Sequence, residues 1–224
     1  MRHLPALASL LVFALPAQAE RTLSALAEEA DLVAVAQLIH TEYRTHQDQP
    51  NRGFAVLNIL IPYKRPDDQN IAQVWAEGRD PSACYYPVEP GANDRFLVFL
   101  RLREDGQYEG EKPWCQLPVH VVADDSQYAL RYPVPGVGMP SGVPVQNLQF
   151  ADRAAFIDPA STDVWELRRI RETWQVDELA DGRLRYRQGV LMGDVRLLMF
   201  PEGLPPPPMR PVLTPPRLSP DPER

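Results

Sequence analysis

Cysteine is scarce in this sequence: Cys84 and Cys115 are the only two among 224 residues. A disulfide-dense scaffold is therefore excluded, and the chain has no CxxC pair of the kind used by zinc ribbons and redox proteins. The motifs GxSxG, HExxH, GxGxxG and the Walker loop are also missing. Their absence weakens the hypothesis of an enzyme without excluding it, and we predict no catalytic residue, no cofactor and no metal.

Positive charge and long apolar runs are in short supply as well. The formal net charge is −7, which argues against nonspecific binding to nucleic acid or to anionic lipid. Beyond residue 19, no segment approaches the roughly 20 apolar residues that a transmembrane helix needs. We therefore predict no nucleic-acid partner and no stable insertion into a membrane.

The N-terminus has the pattern of a Sec-type signal peptide. A short basic start precedes an apolar run that reaches Leu15, and small residues stand at Ala17 and Ala19, the two positions that a signal peptidase reads. The run is short for a membrane anchor, and an uncleaved first helix is the alternative. We expect residues 1–19 to be removed by cleavage after Ala19, which predicts a periplasmic or secreted protein.

In an exported chain, two cysteines are most simply interpreted as one disulfide, between Cys84 and Cys115. On the chain-entropy model, closing a loop of about 30 residues stabilises the fold by roughly 3 to 4 kcal/mol. A redox or metal-binding thiol is the alternative, but a catalytic cysteine usually needs a nearby histidine to hold it as the thiolate. The bridge is therefore predicted to be structural.

Five apolar runs separated by turn signals predict five short strands, in residues 31–39, 54–63, 70–78, 94–105 and 117–124. A short helix precedes them, with Leu23, Leu26 and Ala27 on one side. Because strands and helices do not alternate in this region, we predict a small antiparallel barrel or sandwich instead of a parallel sheet. A closed barrel also leaves no exposed strand edge.

The second half of the chain is organised differently. Residues 133–147 are rich in proline and glycine and are predicted to be a connector, with a lid as the alternative. In residues 148–200, Asp163 and Glu166 have the spacing of a capping box and predict a helix, with strands beside it. From residue 201 onward ten of 24 residues are proline, so residues 201–224 are predicted to form a disordered tail.

The order of the features in the first half resembles the netrin-like or TIMP-like domain. A helix ending in EEADLVAVAQLI leads into FAVLNILIPYKR and IAQVWAEG, then into a cysteine loop, GANDRFLVFLRLREDGQY and a second cysteine. The resemblance covers about residues 22–124 and implies a five-stranded OB barrel. In the metalloproteinase inhibitors of that family a free N-terminal cysteine chelates the protease zinc. The expected mature terminus here is Glu20, with no cysteine ahead of the helix, so the resemblance implies the fold without that mechanism.

These observations together predict a mainly β protein. Its parts are a five-stranded OB-like antiparallel barrel in residues 20–132 with a short N-terminal helix, a connector, a C-terminal helix with strands, and a proline-rich tail.

Candidate polar sites are few. His40, Glu42 and His46 lie close in sequence and could contribute to a metal site, but a solvated loop is the simpler interpretation of residues 44–53. His120, on the last predicted strand, is another histidine that could serve a catalytic site. Two pairs of adjacent carboxylates are interpreted as charged turns, because neighbours on a strand point to opposite faces: Asp67–Asp68 and Asp124–Asp125.

Four aromatic residues surround the predicted disulfide: Tyr85, Tyr86, Tyr108 and Trp114. Packing around the cystine is one interpretation. The other is an exposed cap that contacts a protein partner, since aromatic residues are enriched at binding centres.

We therefore expect an exported, nonenzymatic binding or assembly protein with a protein partner in the cell envelope. The family resemblance adds the hypothesis that it modulates a protease. A small periplasmic hydrolase that uses a histidine and a carboxylate is the alternative.

Overall fold

The structure, a computed structural model, describes residues 20–88, 94–123 and 127–206. The predicted signal peptide, the pair Asp124–Asp125 and residues 207–224 of the predicted tail lie outside the described residues.

Five strands close into a barrel: β1 (Leu32–His46), β2 (Gln49–Lys64), β3 (Ile71–Glu77), β4 (Arg95–Leu102) and β5 (Tyr108–Glu109). Their order around the ring is β1, β2, β3, β5, β4 and back to β1. Every pair is antiparallel except β3 with β5, where Val74 lies opposite Tyr108 in a parallel pairing. The predicted mainly β fold with a closed, OB-like barrel is confirmed, with the correction that the barrel is mixed.

The strand that closes the barrel is not the one that the sequence predicted. The apolar run at residues 117–124 forms β6 (Leu117–Val121), which pairs with β4 outside the ring. The ring closes instead through β5, which follows the turn at Asp105–Gly106. A strand of two residues carries no periodicity, and tertiary pairing with β3 on one side and β4 on the other fixes its position.

The sheet continues from β4 beyond the barrel. The later strands are β7 (Tyr128–Arg131), β8 (Gln146–Asn147), β9 (Phe156–Ile157), β10 (Val176–Glu178), β11 (Leu184–Tyr186) and β12 (Gln188–Leu191). The main sheet runs on through β6, β7, β12 and β8, whereas β10, β11 and β9 form a separate three-stranded sheet. The C-terminal region therefore extends the sheet that the barrel begins.

Three α-helices accompany the strands: α1 (Leu23–Glu29), α2 (Val164–Thr173) and α3 (Met192–Met199). Asp163 caps α2 as predicted, since its carboxylate accepts a hydrogen bond from the Trp165 N–H at 2.8 Å. The sequence analysis did not predict α3. Within the described part of the chain, no helix is long and apolar enough to cross a membrane.

The first five residues of β1 and residues 96–100 of β4 are buried on both faces. Inside the barrel, Leu32, Val98 and Leu100 belong to a cluster that we call the barrel core. On the outside, Val35 and Leu97 pack beneath α1 and α3 in a second cluster, the outer core. Burial on both faces explains why the sequences of these strands contain unbroken apolar runs, LVAVA and FLVFL, instead of alternating apolar and polar residues.

A third cluster, the C-terminal core, lies beneath α2 and contains Phe150, Ile170, Trp174 and Tyr186. Within the predicted connector, Val134 and Val137 are buried in the outer core. The domain boundaries given by the sequence analysis stay a prediction.

Candidate functional site

The disulfide between Cys84 and Cys115 is present, as predicted. Both cysteines are buried, and the Tyr86 hydroxyl donates a hydrogen bond to the Cys115 carbonyl at 2.6 Å. Gly110 lies so close that a Cβ there would stand 2.7 Å from the Cys115 Cβ. The bridge is therefore packed into the barrel.

Three of the four aromatic residues proposed as an exposed cap are buried. Their exposed fractions are 2% for Tyr86, 7% for Tyr108 and 8% for Trp114. Tyr86 and Tyr108 belong to the barrel core, whereas Trp114 belongs to the outer core and donates from its indole to the Gly136 carbonyl at 2.8 Å. For these three rings the structure agrees with packing around the disulfide, the first of the two interpretations, and not with an exposed cap, because each ring fills a core.

Tyr85 is the member of that set that keeps a partly exposed ring. Its hydroxyl donates to the Gly78 carbonyl at 2.9 Å, and its ring meets Tyr43 edge-on at 5.2 Å between centroids. Burial raises the pKa of Tyr43 to about 12. The Tyr43 phenol therefore stays protonated at neutral pH, and its oxygen accepts a hydrogen bond from the Tyr86 N–H at 3.1 Å.

His40, Glu42 and His46 all lie on β1, which continues to His46 instead of ending near residue 40. The predicted loop at residues 44–53 is a hairpin with a tight turn at Gln47 and Asp48, both of positive φ. His40 and Glu42 occupy one outward face of the strand, opposite Val56 and Phe54 of β2. In the described ranges, no three histidine, cysteine or acidic side chains converge as potential metal ligands.

His120 meets a carboxylate that the sequence analysis did not identify. Its Nδ1 lies 2.9 Å from Asp152 Oδ2, and both side chains are buried. Burial disfavours the charged carboxylate, but hydrogen bonds from His120 and the Val121 N–H outweigh this effect and lower the pKa of Asp152. An ionised Asp152 accepts, so His120 donates from Nδ1. Its Nε2 has no hydrogen-bond partner among the described residues.

The outward face of β2 and β3 is apolar at its centre. Register places Phe54 opposite Trp75, Val56 opposite Gln73, and Asn58 opposite Ile71. The inward positions of β3 are small, Ala72 and Val74, and they belong to the barrel core. We call the outward surface the open wall: Phe54, Val56, Asn58, Ile71, Gln73 and Trp75.

The apolar members of the open wall belong to none of the three cores that the described residues form. Ile71 is 48% exposed. At the edge of the wall, the Arg52 guanidinium lies 5.3 Å from the Trp75 ring centroid and 3.8 Å from Glu77. An apolar centre with a charged rim is typical of a binding surface.

A cleft of about 310 Å³ opens beside Trp75, between α1 and strands β3 and β5. Trp75 and Trp114 both line it, together with Cys84 of the disulfide. The cleft therefore borders the open wall at Trp75.

The charged residues of the cleft separate into two groups. At the α1 side, Glu29 pairs with Arg21 and with Arg101, the latter at 3.3 Å. The hydrogen bond from Arg21 is the main cause that lowers the pKa of Glu29. At the β5 side, Arg103 lies 3.7 Å from Glu109, and Glu77 and Glu111 also line the cleft.

Other surfaces lie away from the barrel. A cavity of about 560 Å³ beside α2 is lined by both charged and apolar side chains, among them Arg153, Phe156 and Arg183. Val164 and Trp165, in the first turn of α2, are each 75% exposed. His120 and Asp152 line neither this cavity nor the cleft.

Comparisons of the chain with protein-family models, with curated proteins and with solved structures found no match.

Proposed function

We propose that the protein is an exported, nonenzymatic binding protein that holds an extended polypeptide segment of a cell-envelope partner on the open wall. One observation carries the proposal: apolar side chains stand on an outward face that belongs to none of the cores of the described chain.

The two halves of the barrel make this observation informative. Outward apolar residues on β1 and β4, such as Val35 and Leu97, have an evident role because α1 and α3 cover them. Phe54, Val56 and Trp75 have the same outward direction on β2 and β3, but they are half-buried and belong to none of the three cores. Clustered apolar residues rimmed by polar ones are typical of interaction sites.

The position on the barrel favours an extended ligand, and the charge and the side chains favour a polypeptide among such ligands. In OB barrels the face of strands 2 and 3 is the usual binding surface for oligonucleotides and oligosaccharides, which are extended and oligomeric. The net charge of −7 disfavours nucleic acid. Aliphatic Val56 and Ile71 suit apolar side chains of a peptide, whereas Asn58 and Gln73 lie between them as hydrogen-bonding groups.

The disulfide supports the exported location, because buried bridges persist in oxidising compartments. The predicted cleavage after Ala19 belongs to the same proposal. The resemblance to netrin-like domains adds that the partner is an envelope protease or a protein that acts with one. Binding of a segment of that partner to the open wall would modulate the protease, and this mode of action needs no N-terminal cysteine to chelate zinc.

The hydrolase alternative depends on a histidine and a carboxylate in one concave site. His120 and Asp152 meet that requirement in distance, at 2.9 Å, but they are buried between Phe150 and Tyr186. Their contacts favour a structural role beside the C-terminal core, to which Phe150 and Tyr186 belong.

Position-specific photocrosslinking tests the proposal. A benzophenone side chain is placed at Ile71 or Gln73 on the wall, and at Leu197 on α3 as a control of similar exposure. The full chain is expressed in its own cell envelope and illuminated. We expect the same adduct from both wall positions and none from the control, and we expect Trp75→Ala to abolish it while Trp165→Ala leaves it unchanged.

Identical adducts from Leu197 and the wall would overturn the proposal, as would an adduct that persists in a folded Trp75→Ala variant. An adduct that contains carbohydrate would show that the ligand on the open wall is a glycan and not a polypeptide.

A further inference from the structure

Within the described chain, β3 has a strand partner along only part of one edge. Its other edge pairs with β2 over all of its residues. Towards β5 the pairing consists of one residue pair, Val74 with Tyr108. After that pair, residues 75–77 line the cleft. The closed barrel therefore keeps one short free edge, and the cleft opens beside it.

The register with β2 shows which backbone groups of β3 point towards the cleft. In an antiparallel pair, residues that exchange hydrogen bonds across the two strands alternate with residues that do not. Just past one end of β3, the Gly78 N–H donates to the Asn51 carbonyl at 2.8 Å, and the Asn70 carbonyl at the other end accepts from β2 at the same distance. The even-numbered residues of β3 therefore bond to β2. Trp75 and Glu77 lie between them, and their N–H and C=O groups point to the opposite edge.

Two of these backbone groups have no partner among the described residues, the Trp75 carbonyl and the Glu77 N–H. Both lie past the last pair with β5, and no backbone hydrogen bond to a loop involves either of them. The chain after β5 does not extend the ladder, because Glu111 pairs with Ala83 instead. An acceptor and a donor on one strand edge are a template for another extended chain.

The free edge and the open wall belong to the same strand. A chain bonded to this edge would continue the sheet at about 4.8 Å from β3. Every second side chain of it would lie on the outward face beside Trp75, and the others would enter the cleft of about 310 Å³. Backbone bonds of this kind supply affinity, and the neighbouring side chains supply specificity. The apolar wall and the free edge therefore favour the same ligand, an extended polypeptide with apolar residues at alternate positions.

We propose that the segment held by the open wall adds to the free edge of β3 as a further β-strand, bonded through its backbone to the Trp75 carbonyl and the Glu77 N–H. This inference rests on the proposed function, because it states how the same surface holds its segment. It predicts that binding needs the N–H of Glu77 and does not need the Glu77 side chain.

Three variants separate the backbone of residue 77 from its side chain. Glu77→Pro removes an N–H that has no partner in the described chain, and proline is tolerated at such an edge position. Glu77→Ala removes the side chain and keeps the N–H, so it is the matched control. Ala76→Pro removes an N–H that bonds to β2. We expect the first two variants to melt within about 3 °C of each other and Ala76→Pro to melt well below both.

Competition in the cell envelope measures binding. Each variant carries the photocrosslinking side chain at Ile71 and is co-expressed with an equal amount of wild-type chain that lacks it. Losing one backbone hydrogen bond weakens binding by about fivefold, and the proline ring also obstructs the edge. We therefore expect Glu77→Pro to reduce the adduct by about fivefold or more, and Glu77→Ala to leave it unchanged.

The partner segment sequenced from the adduct supplies a second measurement on the full chain. Synthetic copies of that segment are made with one backbone amide methylated at a time, and their affinities are measured by titration calorimetry. A β-strand bonds to a given neighbour through alternate residues. We therefore expect methylation to abolish binding at every second position and to be tolerated between them.

A folded Glu77→Pro variant that forms as much adduct as Glu77→Ala would overturn the inference and leave the open wall in place. Equal loss in both variants would also overturn it, because the effect would then belong to the side chain. A Glu77→Pro variant that melts as low as Ala76→Pro would show that this N–H already has a partner, and a uniform response to methylation would exclude an added strand. Failure of the wild-type chain to form any adduct at Ile71 would instead remove the proposed function and this inference with it.

Discussion

The barrel has two sides that share one interior but differ in what lies outside. On one side, β1 and β4 carry Val33, Val35, Leu97 and Phe99 outward into the outer core, where α1 and α3 cover them. On the other, β2 and β3 carry Phe54, Val56 and Trp75 outward onto the open wall. Outward apolar residues stabilise the fold on the first side, and on the second they stay partly exposed, on the surface that we propose binds a partner.

This comparison teaches that strand composition alone does not separate packing from binding. Both sides show apolar residues at outward positions, and the distinction becomes visible when the covering elements are placed. Because the two sides contain equivalent residue types, matched substitutions can test the distinction directly.

The largest difference is expected between two tryptophans. Trp114→Ala removes a side chain of the outer core and should lower the free energy of unfolding by about 3 to 5 kcal/mol. Trp75→Ala, on the open wall, should lower it by about 1 kcal/mol. Denaturant unfolding measures both values. Equal losses for the two variants would contradict the division into a covered and an open side.

The disulfide belongs to the barrel core that the two sides share, and Cys84 also lines the cleft. Replacing both cysteines by alanine should lower the free energy of unfolding by about 3 to 4 kcal/mol, for a sequence separation of 31. Unfolding of the wild-type chain with and without reductant gives the same quantity without a substitution. A loss well below 1 kcal/mol would show that the bridge does not stabilise the barrel.

Two valines provide the closest match. Val35→Ala, under α1 and α3, should cost about 1.5 to 3 kcal/mol, because the cavity it leaves is enclosed. Val56→Ala on the open wall should cost about 0.5 kcal/mol. The same two variants should differ in photocrosslinking at Ile71, where Val56→Ala weakens the adduct and a folded Val35→Ala variant leaves it unchanged.

The smallest expected effect is a pH dependence of the free energy of unfolding, caused by Asp152 and its contact with His120. The folded-state pKa of Asp152 is lowered, so its contribution to stability is fully present above the unfolded-state pKa of about 3.9 and is lost as pH falls through the folded-state value. Unfolding measured from pH 7 to pH 2 should show this loss, and Asp152→Asn should flatten that part of the curve. An unchanged acid limb in this variant would contradict the assignment.

Much of the fold could be predicted from local patterns. Burial on both faces gives β1 and β4 their unbroken apolar runs, the Asp163 cap marks the start of α2, and glycine turns end two strands. The pairing of the cysteines follows from their number and from the predicted compartment.

The rest depends on contacts between distant residues. Asp152 lies 32 positions from His120, and nothing in its neighbourhood marks it as a partner. Tyr86 lies outside any helix or strand and Trp114 begins a 3-10 helix of three residues, Trp114–Gln116, so no period of 2 or 3.6 could decide between their packing and their exposure.

The sequence shows Trp75 as an apolar residue in the alternating pattern of β3, but it does not show whether the side chain points into the barrel or out of it. The signal was present in its neighbours: Ala72, Val74 and Ala76 are small enough for a narrow barrel interior, which assigns the larger Trp75 to the outside. Such a preference becomes decisive once the barrel is known to be closed.

The two-residue strand β5 makes one junction of the barrel shorter than the others. A single parallel pairing, Val74 with Tyr108, joins β3 to β5, and the cleft lies across this junction with Trp75 and Glu77 on one side and Glu109 on the other. So short a ladder should open before the long β1–β2 hairpin, and its amides should exchange with solvent first. Any molecule that contacts both sides of the cleft would hold β3 and β5 together. Slower hydrogen exchange of the amides in this pairing would therefore report that the cleft is occupied, even when the ligand is unknown.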